Sequence, residues 1–363
     1  MITHRFPALK RHALSAATAV TLSAGFAATP AVAHESPVTG LTPDSHAPAG
    51  VMYDHMHKKG GWMIGYTFSH QNTGGAVKRN GRSVDDHELA MAGYTMKPTG
   101  MQMNMHMLHL MYAPSDAFNL MVMPMYMDMP MTMQGLSGGR GGHGGGHGGG
   151  HGMGGGEMSH GASGLGDTVA AGLIRLYDDG RHHLHAGLGI SMPTGSVSRR
   201  NGDGTFAHYG MQMGTGTWDA IPSITYTGQM QRWSWGAQAL AQLPMQHANR
   251  SGYRVGNRFE ANAWGAFRLT PWLSASARLN YTAQGAIRGA YDGPVHIASP
   301  DDLPGNYGGR VLKVGAGLNA VFRSGALKGH RIGVEYLTPV AQNLNGYQLE
   351  QRAALYANWS IAF

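Results

Sequence analysis

The stretch YQLEQRAALYANWSIAF at residues 347–363 shows the pattern that decides the fold. Large apolar side chains recur at odd positions, among them Leu355, Trp359 and Phe363, while polar side chains such as Glu350 stand at even positions. A period of two is that of a β-strand, whose successive side chains point to opposite faces. The stretch therefore predicts a strand long enough to cross a membrane, with one apolar and one polar face.

The same alternation recurs upstream and indicates a protein built from many such strands. It is clearest in four stretches, 232–243, 255–269, 272–284 and 310–322. Together with the last strand, the weaker copies bring the predicted number of strands to twelve. These copies lie at 61–70, 88–112, 117–128, 166–177, 181–192, 217–227 and 330–338.

Connection lengths follow the alternating pattern of an outer-membrane barrel, with short periplasmic turns and longer outer loops. The motif Lys97-Pro98-Thr99-Gly100 falls inside the second strand, and we interpret it as a bulge because proline cannot donate to a ladder. The predicted short turns are 113–116, 177–181, 228–232, 270–271 and 323–330, and the long loops are 71–87, 129–165, 195–216 and 285–308.

These features predict an all-β fold, a transmembrane antiparallel up-and-down β-barrel of about twelve strands in the outer membrane. Closure pairs every backbone group without water, which lipid requires. Charged residues make up only 13% of the chain, and no apolar run is long enough for a membrane helix. A soluble β-sandwich or jelly roll also alternates, but the strand lengths favour the barrel. We expect a monomer surrounded by outer-membrane lipid.

The first residues predict export. Arg5, Lys10 and Arg11 precede an apolar stretch that ends at Ala31-Val32-Ala33, which is the pattern of a signal peptide over residues 1–33. We expect a periplasmic segment at 34–60 and the barrel at 61–363. The chain has no cysteine, which excludes disulfides and thiolate chemistry, and its net charge of +7 requires no nucleic-acid partner.

Several short motifs resemble a family of Gram-negative outer-membrane barrels, the transporter or "MetA-pathway of phenol degradation" type. They are MYDHMHKKGGWMIGY at 52–66, MYAPSD at 111–116, GLGDT at 164–168 and LGISMPTG at 188–195. The resemblance covers the chain from about residue 50 to its end. It implies a barrel for a small solute, hydrophobic or aromatic, and no catalytic residues. The C-terminal Phe363 resembles the signature that the barrel assembly machinery recognises.

Methionine is concentrated in two predicted strands. Because the even positions of the second strand include Gln102, Asn104 and His106, we expect its methionines to face lipid, and those of the third strand to face inward. Thioethers are soft ligands that prefer Cu(I), whereas the alternative is that methionine simply fills apolar space. The residues concerned are Met101, Met103, Met105, Met107, His109 and Met111 in the second strand, and Met121, Met123, Met125 and Met127 in the third.

Two histidine-rich segments are further candidates for metal binding. The glycine-rich loop 135–165 offers His143, His147, His151, Met153, Met158 and His160. Such a tract binds Cu(II), Ni(II) or Zn(II), or else is an external loop with neutral histidines. A second group combines His46, His55 and His57 with Met52 and Met56, for which a periplasmic tail or plug is the favoured interpretation.

Charged residues suggest no catalytic centre. Asp85-Asp86-His87-Glu88 would suit an acid–base pair of an outer-membrane hydrolase, but a solvated charge cluster is the favoured interpretation. Charges predicted to line the lumen either select solutes or pair and hold the barrel shut. They are Asp167, Arg175, Arg258, Glu260, Arg268, Arg278, Glu335, Glu350 and Arg352.

The sequence thus predicts passage of a small solute across the outer membrane, without enzymatic activity and without a required cofactor. The first alternative is a copper-binding or copper-resistance protein that uses the methionine and histidine segments. The second alternative is the hydrolase.

Overall fold

The computed structural model describes residues 42–136 and 157–363. Residues 1–41, with the predicted signal peptide, and residues 137–156 lie outside the described parts. Twelve strands form the wall: β1 (Trp62–Arg79), β2 (Met96–Ser115), β3 (Phe118–Met123 and Met125–Gly135), β4 (Glu157–Leu165 and Thr168–Asp178), β5 (His182–Met192), β6 (Asp219–Met230), β7 (Trp233–Pro244), β8 (Arg258–Arg268), β9 (Leu273–Gln284), β10 (Gly309–Val321), β11 (His330–Leu344) and β12 (Tyr347–Ala362).

Shorter elements lie in the loops. Helix α1 covers Asp86–Met91, and Arg82–Val84 pairs back onto β1. Tyr253–Arg254 pairs with Arg288–Gly289. Single 3-10 turns cover Tyr209–Met211, Pro300–Asp302 and Pro304–Asn306. Within the described residues, no helix is long and apolar enough to cross a membrane.

The wall closes on itself. Every strand is antiparallel to its neighbours, and β1 pairs with both β2 and β12, so that Met63 stands opposite Met111 on one side and Ala362 on the other. Pro124 interrupts β3, and Gly166-Asp167 interrupts β4. Each strand changes direction at its interruption, and both of its parts remain in the barrel wall. The predicted twelve-stranded barrel is confirmed.

The two faces of each strand differ as the alternation predicts. On β9, Ser276, Arg278 and Asn280 are buried inside, whereas Leu279 and Tyr281 are exposed on the outside. Outward apolar residues recur around the wall, as a lipid-facing belt requires. Aromatic rings gather at the end of the barrel that holds Trp62, where the Trp62 ring stacks on Tyr112 at 4.4 Å, as is typical of a membrane interface.

The ends of the barrel differ in loop length. The backbones of Trp62 and Phe363 exchange two hydrogen bonds of 2.8 and 2.9 Å, so the first and last strands finish at the same end. That end, the short-turn end, carries the turns 116–117, 179–181, 231–232, 269–272 and 322–329. The opposite end, the mouth, carries the long loops and one tight turn at Asn345-Gly346. The predicted asymmetry is therefore present.

Several predicted boundaries are wrong. Three strands run further toward the mouth than predicted, to Arg79 instead of 70, to Gly135 instead of 128 and to Leu344 instead of 338. The second strand begins at Met96 instead of 88, because Asp85 accepts a hydrogen bond from the Glu88 backbone and starts helix α1. The glycine-rich loop ends before Glu157 instead of at 165, because Glu157–Leu165 pairs with Met125–Gly135. The predicted bulge is confirmed, since the register of β2 against β3 shifts between Pro98 and Gly100.

Candidate functional site

Of the segment predicted at 34–60, residues 42–57 lie inside the lumen and form a plug, which was one of the two interpretations favoured for the group of His46, His55 and His57. The plug has no regular secondary structure, so its backbone carbonyls need partners, and polar side chains of the wall supply them. Each of the following wall side chains donates a hydrogen bond to a backbone carbonyl of the plug: Arg331 Nη1 to Thr42 (3.0 Å), Ser274 Oγ to Pro43 (2.9 Å), Asn319 Nδ2 to Ala47 (3.4 Å) and Gln238 Nε2 to Met52 (2.7 Å). The Tyr53 carbonyl accepts two hydrogen bonds, from His185 Nε2 (2.8 Å) and Thr225 Oγ1 (3.2 Å).

Two buried ion pairs strengthen the fit between plug and wall. Asp44 of the plug lies 2.8 Å from Arg268. Within the wall, Arg278 lies 2.9 Å from Glu335, which also accepts a hydrogen bond from the Gly50 backbone at 2.8 Å. A Cβ atom on Gly50 would stand 2.8 Å from the Arg278 guanidinium, so a larger residue at this point of the plug would have to displace one partner of the ion pair.

Tyr53 turns the plug toward the short-turn end. Its φ of 58° is left-handed, which costs a non-glycine residue about 1–2 kcal/mol. The two hydrogen bonds to its carbonyl and the burial of its ring offset that cost. The turn presents the next residue, Asp54, to a group of imidazoles.

His46, Asp54, His55 and His57 form the histidine cluster. His55 Nδ1 lies 2.6 Å from Asp54 Oδ1, and His46 Nδ1 lies 3.4 Å from Asp54 Oδ2. His55 Nε2 lies 3.2 Å from His57 Nε2. One ligand atom from each of His46, Asp54 and His55 falls within 4.8 Å of the others, which is as close as the side chains of a metal site lie to one another.

The electrostatics of the cluster keep two imidazoles neutral. Burial, with Arg331 and His55 nearby, lowers the pKa of His46 to about 3. Burial and His55 likewise lower the pKa of His57 to about 3. Burial alone would raise the pKa of Asp54, but His55 and His46 outweigh it and hold that pKa well below its usual range. At neutral pH the cluster thus offers unprotonated nitrogens beside a carboxylate.

Two cavities adjoin the cluster. The larger has a volume of about 590 Å³ and extends to the short-turn end, where Gly180 and Gly329 line it. The smaller, of about 60 Å³, lies between the cluster and the wall residues His109, Met111 and Met121. His109 Nε2 is buried there without a hydrogen-bond partner among the described residues.

The methionines of β2 face the lumen, so the prediction that they face lipid is wrong. The lipid face of β2 is made by Leu108 and Leu110, each 40% exposed. The polar even positions lie nearer the mouth, where Asn104 bonds to His70 (2.7 Å) and Asp128 (3.3 Å) on the outer surface. With 20 residues, β2 exceeds the 9–11 that a crossing needs, and its upper part therefore projects beyond the lipid.

The inward methionines form a continuous methionine column. Register places Met101 opposite Met131, Met105 opposite Met127, and Met111 opposite Met121. Met125 packs against both the upper and the lower groups, and the lower group also touches Met52 and Met56 of the plug. The column consists of Met63, Met101, Met103, Met105, Met107, Met111, Met121, Met123, Met125, Met127, Met129, Met131, Met133, Met211 and Met213.

The predicted metal ligands lie in different places. His143, His147, His151 and Met153 are outside the described residues. His160 stands opposite Met131 and Met158 opposite Met133, at the mouth. The ladder methionines and His109 belong to the lumen wall. The sequence pattern Asp54-His55-Met56-His57 contains the signal for the cluster, a carboxylate followed by two histidines two apart, but Asp54 was not among the predicted ligands.

Most predicted lumen charges pair with a neighbour. Asp167 accepts hydrogen bonds from the backbones of Gly195 (2.9 Å) and Thr215 (2.7 Å), which ties two loop segments at the mouth. The other pairings are Arg175 with Asp178, Arg258 with Glu260 (2.7 Å), Arg268 with Asp44, Arg278 with Glu335, Glu350 with Lys78 (3.1 Å), and Arg352 with the Gly74 carbonyl (3.2 Å).

The acidic motif before β2 stabilises a loop. Asp85 caps helix α1, and Glu88 lies 2.6 Å from Arg82 and 3.4 Å from Arg79. Asp86 lies 2.6 Å from Lys97. These contacts account for the acidic side chains, and the absence of enzymatic activity stays a prediction.

Comparison with known proteins agrees with the barrel. Residues 128–325 match the family described as "Putative MetA-pathway of phenol degradation". No curated protein matches the sequence. An outer-membrane channel from Pseudomonas putida F1 is similar in structure, with a TM-score of 0.55, 14% identity, and coverage of 86% of this chain and 98% of that one.

Two other solved structures are more distantly similar. The β domain of the Bordetella autotransporter BrkA has a TM-score of 0.42, 12% identity, and coverage of 84% of this chain and 100% of that one. The TodX monoaromatic hydrocarbon channel, in a mutant form, has a TM-score of 0.39, 11% identity, and coverage of 84% and 90%. The predicted fold class and outer-membrane location are confirmed.

Proposed function

Since the chain belongs to the MetA-pathway of phenol degradation family, we propose that it carries a small apolar or aromatic solute across the outer membrane. The observation that supports this most directly is the methionine column. It offers an apolar, adaptable surface from the mouth down to the plug, which suits small apolar ligands of varied shape.

The plug restricts the passage of a solute through the lumen. It lies between most of the column and the cavity of about 590 Å³ at the short-turn end, which Met63 of the column also lines. A solute that descends the column must therefore displace part of residues 42–57 or pass beside them.

Substituting one opposed methionine pair in the column tests the proposal. Met105 and Met127 stand opposite each other on the lumen face, and Met105→Gln with Met127→Gln would replace two thioethers there with two polar amides. An apolar solute that displaces water from these amides removes their hydrogen-bond partners, which costs about 1–3 kcal/mol, so uptake of radiolabelled toluene by cells that depend on this chain is expected to fall about tenfold.

The matched control lies one position away on the same two strands. His106 stands opposite Tyr126 on the outer face, and His106→Gln with Tyr126→Gln should leave toluene uptake unchanged. Equal uptake by the inward variant and the wild-type chain, at equal surface expression, would disprove passage along the column.

A second candidate function, handling of copper, is favoured by the same column because thioethers prefer Cu(I). Cells that carry the inward variant should then change their tolerance to silver and copper salts, and cells that carry the outward variant should not. Altered toluene uptake with unaltered metal tolerance favours the first function over the second.

A further inference from the structure

We propose that the histidine cluster of the plug is a binding site for one copper ion, with His55 and His57 as its first ligands and the lumen wall completing it. The site lies on the plug and not in the glycine-rich loop. It goes beyond solute passage and does not depend on it.

The spacing of the two nearest nitrogens fits a shared metal ion. Imidazole nitrogens bind borderline divalent metals at about 2.0–2.1 Å, which in a tetrahedral site places them about 3.3 Å apart. His55 Nε2 and His57 Nε2 are 3.2 Å apart, and their rings lie at 85° to one another. A metal ion can therefore sit between them with little movement of either side chain.

Asp54 orients the cluster in the way that a carboxylate orients a metal-bound histidine. The 2.6 Å contact makes His55 Nδ1 the protonated nitrogen, which leaves Nε2 with its lone pair directed at His57. The His46 ring is tilted by 60° against the His55 ring, with ring centroids 4.1 Å apart, and one of its nitrogens lies within 4.8 Å of a His55 nitrogen and an Asp54 oxygen.

The wall supplies an independent indication. His109 lines the small cavity together with His46 and His55, and its buried Nε2 has no hydrogen-bond partner within residues 42–136 and 157–363, which is unusual for a buried imidazole nitrogen. Met111 and Met121 line the same cavity, and Met56 lines the larger one. Nitrogen and thioether ligands at one place suit copper in both its oxidation states, and imidazoles bind Cu(II) more tightly than they bind Zn(II).

Copper binding by the full chain tests the site. His143, His147 and His151 are first replaced by asparagine to remove binding by the loop. Equilibrium dialysis against Cu(II) sulfate is expected to find one ion per chain in this background, with nitrogen hyperfine lines in its electron paramagnetic resonance spectrum. His55→Gln with His57→Gln should abolish this binding, and Asp54→Asn should weaken it about 10–100-fold, as the loss of an orienting carboxylate does.

The matched control removes two exposed loop histidines, with His247→Gln and His296→Gln, and should leave copper binding unchanged. Protection from diethyl pyrocarbonate needs no variant: copper should shield His55 and His57 of the otherwise unaltered chain, as mapped by mass spectrometry. Ag(I) nitrate in chloride-free buffer should compete if the methionines contribute.

The proposal is overturned if the background chain binds no copper, if binding survives His55→Gln with His57→Gln, or if Zn(II) binds and copper does not. None of these results bears on toluene uptake, so the copper site and solute passage can fail separately.

Discussion

Deleting residues 42–57 is expected to raise the single-channel conductance of the refolded barrel in planar bilayers by roughly an order of magnitude, as a filled lumen becomes a water-filled one. The wall should survive, because its ladders close between β1 and β12 without help from the plug. The polar side chains that now bind plug carbonyls, such as Gln238 and Ser274, would then bind water.

A variant with a replaced plug tests whether any segment of this length blocks the lumen or whether the specific contacts of residues 42–57 are needed. A Gly/Ser segment of equal length in place of 42–57 keeps the chain in reach of the lumen but removes Asp44, and with it the ion pair to Arg268. We expect large, rapidly fluctuating currents from this variant. Identical small conductances for the wild-type chain, the deletion and the replacement would show that the plug does not limit passage.

Arg278→Met is expected to destabilise the barrel by about 3–5 kcal/mol, the usual cost of leaving one partner of a buried ion pair uncompensated. The exposed fractions of the Arg278 and Glu335 side chains are 2% and 0%, so water cannot replace the lost guanidinium. The same change removes the guanidinium that lies 5.7 Å above the Tyr356 ring. Urea-dependent unfolding in lipid vesicles measures the loss.

Two control variants test whether the loss of stability comes from the unpaired buried charge. Adding Glu335→Gln to Arg278→Met should restore much of the stability, because removing both charges avoids an unpaired one. Lys78→Met breaks the more exposed pair with Glu350 and should cost no more than about 1 kcal/mol. Equal losses from Arg278→Met and Lys78→Met would contradict the assigned role of the buried pair.

The wall was predictable because alternation is a local property of strands. The periods at 272–284 and 347–363 correspond to β9 and β12, and the interruption at Pro98 is the bulge that was expected. Lipid penalises any charge on the outer face, so each crossing carries its own pattern in a dozen residues. The motifs at 164–168 and 188–195 also indicated the family from the residues alone, and both lie within the matched residues 128–325.

The direction of the methionines was not predictable from their neighbours in β2. Alternation assigns residues to two faces but does not say which face is the lumen. Which face of β2 lines the lumen depends on the length of the strand. The polar positions near Asn104 lie in the part of β2 that projects beyond the lipid, while Leu108 and Leu110 contact the lipid.

By itself, the sequence determined a closed wall of alternating strands with an apolar belt, short turns at one end and long loops at the other. Only the tertiary structure decided that residues 42–57 fill the lumen, that Gly50 meets Glu335 across 285 positions of the chain, and that His109 joins His46 and His55 around one cavity. The physical reason is the sequence separation of the interacting residues. Strand periodicity arises between adjacent residues, whereas a plug and a set of metal ligands arise between side chains that come together only when the barrel has closed.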